Sequence, residues 1–198
     1  MTRLSPHFTL AELTVNRARL PNLPNAQDEA DLRRLANDVL EPLRAIVGPL
    51  RITSGYRTSA VNASIAGSAK DSEHMEGIAV DLVALDPRIS NRDMAALLYS
   101  RLDLPLGQVI WYEGDPHLHV SWDPRRRRDF RVKTFQGTYP KWTPSGAQVR
   151  AAWSEIPEEV RLHLHTEGSI PSGAPERGGG DGAGGILLIL GAMTAGAI

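Results

Sequence analysis

The ten residues Ser72-Glu73-His74-Met75-Glu76-Gly77-Ile78-Ala79-Val80-Asp81 constrain this chain more than any other stretch. They set an aspartate inside a run that is otherwise apolar: Ile78, Ala79, Val80, Leu82 and Val83. An ionised carboxylate in a buried strand is costly unless a cation pairs with it. A histidine lies seven positions earlier, and a second pair follows at His117 and His119. Together they point to a metal ion as that cation. One straight helix cannot supply both His74 and Asp81, because seven helical residues separate them by about 10.5 Å along the axis. Zinc holds such donors at about 2.0–2.2 Å. A loop ligand followed by a strand ligand satisfies this distance, and Gly77 permits the tight reversal between them.

His117-Leu118-His119 reads as a strand in which both imidazoles face one side. His119 is the expected ligand, since it runs into the apolar segment Val120-Ser121-Trp122. His117 then lies beside the metal or touches the reacting carbonyl. Two histidines and one aspartate leave a fourth position open, as a zinc ion that activates water requires. The chain has no cysteine, which excludes disulfides and thiolate metal sites. His7 and the pair His163 and His165 lack a partner carboxylate strand and are expected to be structural or surface residues.

The flanking sequence supplies a mixed set of elements. Thr9 and Glu12 form a capping-box pattern for a short helix. Leu32, Leu35, Val39, Leu40, Leu43 and Val47 recur at helical spacing, which predicts a helix over 27–47, kinked or split at Pro42 and stopped by Gly48-Pro49. Strands are predicted over 50–54, 78–85, 108–112 and 118–122, the last two as an antiparallel pair, with short helices over 58–66 and 91–101. The fold class is α+β: a small antiparallel sheet carries Asp81 and His119, and the long helix packs on one face. A length of 198 residues fits one domain with a tail. The expected organisation is a core domain over 1–140, an extension over 141–177, a Gly-rich linker over 178–185 and a short apolar tail over 186–198. That tail is too short to span a bilayer, but long enough to touch one. Net charge is −1, so no global field favours nucleic acid. The run Arg125 to Arg128 is read as a solvated face or as a contact for a polyanion such as a wall polymer.

Ser72, His74, Gly77, Ala79 and Asp81 match the pattern S-x-H-x-x-G-x-A-x-D at every defined position. That pattern resembles the zinc D-alanyl-D-alanine carboxypeptidase family, including its phage-associated L-alanyl-D-glutamate endopeptidases. Thr53-Ser54-Gly55-Tyr56-Arg57-Thr58 is similar to the family's S-G-Y-R segment, and Gln108-Val109-Ile110 to the strand before the last ligand. Phe8 to Leu13 resembles the opening of the phage-associated branch, so the likeness spans roughly residues 4–135. The resemblance implies a Hedgehog/DD-peptidase-like fold and one zinc ion on His74, Asp81 and His119. It also implies a substrate in the peptidoglycan stem peptide, cut next to a D-amino acid.

By the same resemblance Arg57 stabilises the oxyanion, while Ser72, Tyr56 and Gln108 fall among the substrate-binding residues. Many members carry an acid three positions before the final histidine; here Pro116 stands there. Glu113 is the expected general base, Asp115 the alternative, with His117 sharing in proton transfer. The departure also leaves a second reading, a non-catalytic zinc-containing wall-binding or assembly module. The opening residues lack a long apolar stretch, so the expectation is a chain made in the cytoplasm and acting on the wall after release, as a phage or prophage lysis enzyme would; a monomer is expected.

Overall fold

Five strands form one sheet in the order β1-β2-β4-β3-β5 in a computed structural model that describes residues 2–166. The strands are β1 (Leu50–Ser54), β2 (Ala79–Ala84), β3 (Leu106–Tyr112), β4 (Leu118–Trp122) and β5 (Asp129–Lys133). Neighbours from β1 to β3 are antiparallel, as expected, but β5 runs parallel to β3 and makes the sheet mixed.

The period of two separates the sheet into a packed face and a working face. Val80, Leu82, Leu118, Val120, Val109 and Phe130 enter the hydrophobic core. Asp81, Val83, His117 and His119 alternate with them and share the opposite face. Against the core face lie α2 (Ala26–Leu35) and α3 (Glu41–Val47), joined by a π-helical turn over Ala36–Leu40. All six periodic positions predicted for this helix are buried. The α-helical run is split just before Pro42 by that π-helical turn. Proline cannot donate a backbone hydrogen bond and crowds the carbonyl four residues back. The wider turn just before it makes room, and Glu41 N–H reaches back to the Ala36 carbonyl.

The short helix α1 (Leu10–Leu13) carries the predicted Thr9/Glu12 capping box. α4 (Ser59–Ala63) begins at a Thr58 cap, and α5 (Asn91–Ser100) at a Ser90 capping box. α6 (Gly146–Ser154) and α7 (Glu158–Thr166) add Ala152, Trp153, Ile156 and Leu164 to the same core. Three residues of the arginine run are tied down rather than free. Arg126 donates to the Leu102 carbonyl, Arg128 to the carbonyls of Leu98, Tyr99 and Arg101 at the end of α5, and Arg127 pairs with Glu73. Among the described residues no helix is long and apolar enough to cross a membrane. The Gly-rich linker and the apolar tail lie outside the described residues.

Asn91 fixes the turn between β3 and β4. Its buried amide faces the carbonyls of Tyr112, Asp115 and His117 at 2.9, 2.6 and 3.1 Å. Asn91→Ala strands these acceptors and is expected to cost about 1–3 kcal/mol in denaturant unfolding.

Candidate metal centre and active site

Strand register brings the two strand residues together. Asp81 on β2 sits directly opposite His119 on β4, with Ser54 of β1 on its other side. His74 arrives from a single 3-10 turn, Glu73–Glu76, rather than from irregular loop. Gly77 ends that turn in the left-handed conformation, φ 70°. A Cβ there would also lie 2.5 Å from the Asp28 carbonyl oxygen, so glycine is required twice over. Gly55 packs as closely: its Cβ would fall 2.1 Å from the Leu13 carbonyl oxygen. This approach fixes the Gly55 carbonyl, which accepts a hydrogen bond from His74 Nδ1 at 2.7 Å.

The polar contacts converge on Asp81. His119 Nδ1 lies 3.0 Å and His74 Nε2 3.4 Å from Asp81 Oδ1, while Arg57 Nη2 donates to Oδ2 at 2.7 Å. Burial pushes the His74 imidazole below its ordinary pKa, more strongly than the nearby Asp81 raises it. A carbonyl can only accept, so neutral His74 carries its proton on Nδ1. Its Nε2 lone pair then faces a carboxylate oxygen, two acceptors with no proton between them. A cation resolves that conflict. His74, Asp81 and His119 can each offer one ligand atom, all within 4.8 Å of one another. Two imidazole nitrogens and a carboxylate oxygen are a donor set suited to zinc and related ions.

Glu73 completes the arrangement, and sequence reasoning missed it. Its Oε2 faces His119 Nε2 at 3.7 Å, and each of these buried atoms lacks a hydrogen-bond partner. A carboxylate behind a ligating histidine fixes the tautomer that leaves the other nitrogen free for metal. Burial would raise the Glu73 carboxyl, but pairing with His119 and Arg127 outweighs it and brings it to about 2. Burial likewise opposes a charged His119, yet Asp81 and Glu73 on its two sides push it up to about 9. The metal-free centre therefore holds His119 protonated at neutral pH. Its stabilising contribution is full below the unfolded histidine value near 6.5 and is lost as pH rises through about 9. Metal uptake near pH 7.5 is expected to release about one proton from His119, and metal affinity to fall as pH drops. Calorimetric titration in buffers of different ionisation enthalpy measures that proton.

The profile described as Peptidase M15 matches residues 6–121, more than half of the chain. This chain belongs to the peptidase M15 family. No curated protein gives a significant match. Members of this family are zinc-dependent peptidases, and the match covers every residue of the His74–Asp81–His119 centre.

Around this M15 centre the other predicted residues divide. Arg57 and His117 line a groove of about 690 Å³ together with Asp81 and Asp115. Arg57 is held by Ser54 Oγ at 2.9 Å from its Nε, and its backbone N–H donates to the His74 carbonyl at 3.0 Å. The His117 ring lies 4.0 Å from that of Tyr112, and its Nδ1 bonds Asp115 Oδ1. Glu113 is not among the groove's lining residues; its carboxylate accepts the Phe135 N–H at 3.0 Å. Tyr56, Gln108 and Ser72 are likewise absent from the groove's lining. Tyr56 is buried in the core, where burial and a hydroxyl contact to Asp28 raise its pKa. Gln108 donates to Asp129 at 3.1 Å and ties β3 to β5. Ser72 precedes the 3-10 turn without a side-chain cap; its carbonyl accepts Met75 N–H. Asn22, unremarked in the sequence, is the clamp of the S-G-Y-R segment: it donates to the carbonyls of Thr14 and Tyr56 and accepts Thr58 N–H. On the surface, His7 pairs with Glu41.

Proposed function

We propose that this M15 peptidase binds one zinc ion through His74, Asp81 and His119 and hydrolyses a stem-peptide amide of peptidoglycan next to a D-amino acid. The observation that carries this reading is the buried His74 Nε2 lone pair aimed at Asp81 beside an open groove. Zinc, when bound, supplies Lewis acidity that polarises the carbonyl and activates water at neutral pH. Arg57 lines the groove from a fixed position and offers its guanidinium to the oxyanion that develops on that carbonyl. His117 is the proton acceptor in this reading, in place of the acid displaced by Pro116. Asp115 holds His117 Nδ1, which orients the ring and leaves Nε2 to take the proton from the attacking water. His117 then returns that proton to the leaving amine.

The chain acts on the wall after synthesis inside the cell, in the manner of a lysis enzyme. Mass spectrometry of sacculi digested with the zinc-reconstituted protein tests the proposal. New amino termini within the stem identify an endopeptidase and free D-alanine a carboxypeptidase. Zinc binding without either product would instead support the wall-binding module.

A further inference from the structure

We infer that the end of the groove away from the metal centre is a carboxylate-recognition subsite formed by Arg17 and Arg51. The inference rests on the peptidase reading and specifies its substrate. Both arginines line the groove with Arg57. Arg51 on β1 is paired with Val83, two residues along β2 from Asp81. Arg51, Val83 and Asp81 thus share the working face, with Arg51 about 7 Å along the strand direction from the metal ligand. Arg17 lines the same groove from the segment after α1.

The charge balance of the groove is what singles out these two residues. Asp81 is engaged by Arg57 and the two histidines, and Asp115 by His117. Among the described residues no other acid lines the groove. Neither Arg17 nor Arg51 has a side-chain partner among the described residues. Arg57 in the same groove pairs with Asp81, and elsewhere Arg33, Arg34, Arg88, Arg101, Arg127 and Arg131 each pair with a carboxylate. The groove that holds the two guanidiniums also presents exposed apolar surface, Val15 at 49% and Ile65 at 38%. Guanidinium forks bind carboxylates in bidentate fashion, and an apolar floor beside them strengthens the bond by displacing water. The ligand that matches is a residue with an aliphatic stem and a free carboxylate. At about 3.3 Å per extended residue, it sits about two residues from the amide to be cut.

Two synthetic stem peptides, identical except for a carboxylate or a carboxamide at that position, test the subsite. Binding to the full chain stripped of metal is read by fluorescence anisotropy, and cleavage by the zinc-loaded chain separately. The carboxylate peptide is expected to bind about 10-fold or more tightly than the carboxamide. In the Arg17→Gln/Arg51→Gln double variant that ratio is expected to fall close to one. Equal affinity of the wild type for both peptides, or a preference that survives in the double variant, would overturn the inference. An arginine-dependent preference without cleavage by the zinc-loaded wild type would leave the subsite standing and sink the peptidase reading.

Discussion

Asp81→Asn is expected to empty the metal centre, abolish hydrolysis and destabilise the metal-free protein by about 3–5 kcal/mol. Asp81 is the shared partner of three groups: Arg57, His74 and His119. Its side chain is 14% exposed and that of Arg57 only 11%, so solvent cannot replace the lost charge. Removing one member of a buried pair leaves the other uncompensated, which accounts for the size of the effect. Asparagine preserves the shape, so a loss of stability reports charge rather than packing. The pH dependence adds a second signature. Burial would raise the Asp81 carboxyl, but the charges and hydrogen bonds of His74 and His119 hold it well below the usual carboxylate range. Its stabilising contribution is therefore present above the unfolded aspartate value near 4 and is lost as pH falls below it. Denaturant unfolding between pH 3 and 7 should show that loss in the wild type and a flatter profile in the variant. Retention of stoichiometric metal by Asp81→Asn would contradict the assignment.

Arg57→Lys is expected to keep the metal and to lower kcat by about 100- to 1000-fold. Lysine retains the charge but not the fork. Arg57 uses Nε for Ser54 and Nη2 for Asp81, which fixes the plane of the guanidinium beside the groove. A lysine ammonium is a point charge on a flexible stem and cannot hold both contacts with the same geometry. Zinc content together with steady-state kinetics separates this variant from Asp81→Asn: one loses the ion, the other loses only rate. An unchanged kcat in a metal-replete Arg57→Lys enzyme would remove Arg57 from the oxyanion role.

The metal centre was legible because its residues violate local rules in a correlated way. Asp81 interrupts an apolar strand, His119 lies on the same strand face by simple alternation, and Gly77 marks the reversal that joins His74 to them. Glu73 was not legible, although it stands next to His74. Its place behind His119 depends on Arg127, 54 positions away, and nothing in the local pattern announces that pair. Tyr56 and Gln108 show the converse case: neither lines the groove. The S-G-Y-R segment contributes Ser54 and Arg57 to the groove, but Tyr56 turns into the core and Gln108 toward β5, which only tertiary packing decides.

The fold divides similarly. Strands β1 to β4 and the long helix follow from periodicity. The parallel pairing of β5 does not, because Asp-Phe-Arg-Val-Lys alternates alike in either direction and follows a charged run. The role of Trp153 in the core also requires the path of α6 back onto α5, a long-range contact that composition does not reveal.

Zinc-edge anomalous diffraction from crystals of the reconstituted protein tests the central claim most directly. The account predicts a single strong peak in contact with His74 Nε2, His119 Nδ1 and the Asp81 carboxylate, absent from His74→Ala crystals. A peak elsewhere, or no peak from protein saturated with zinc, would contradict it.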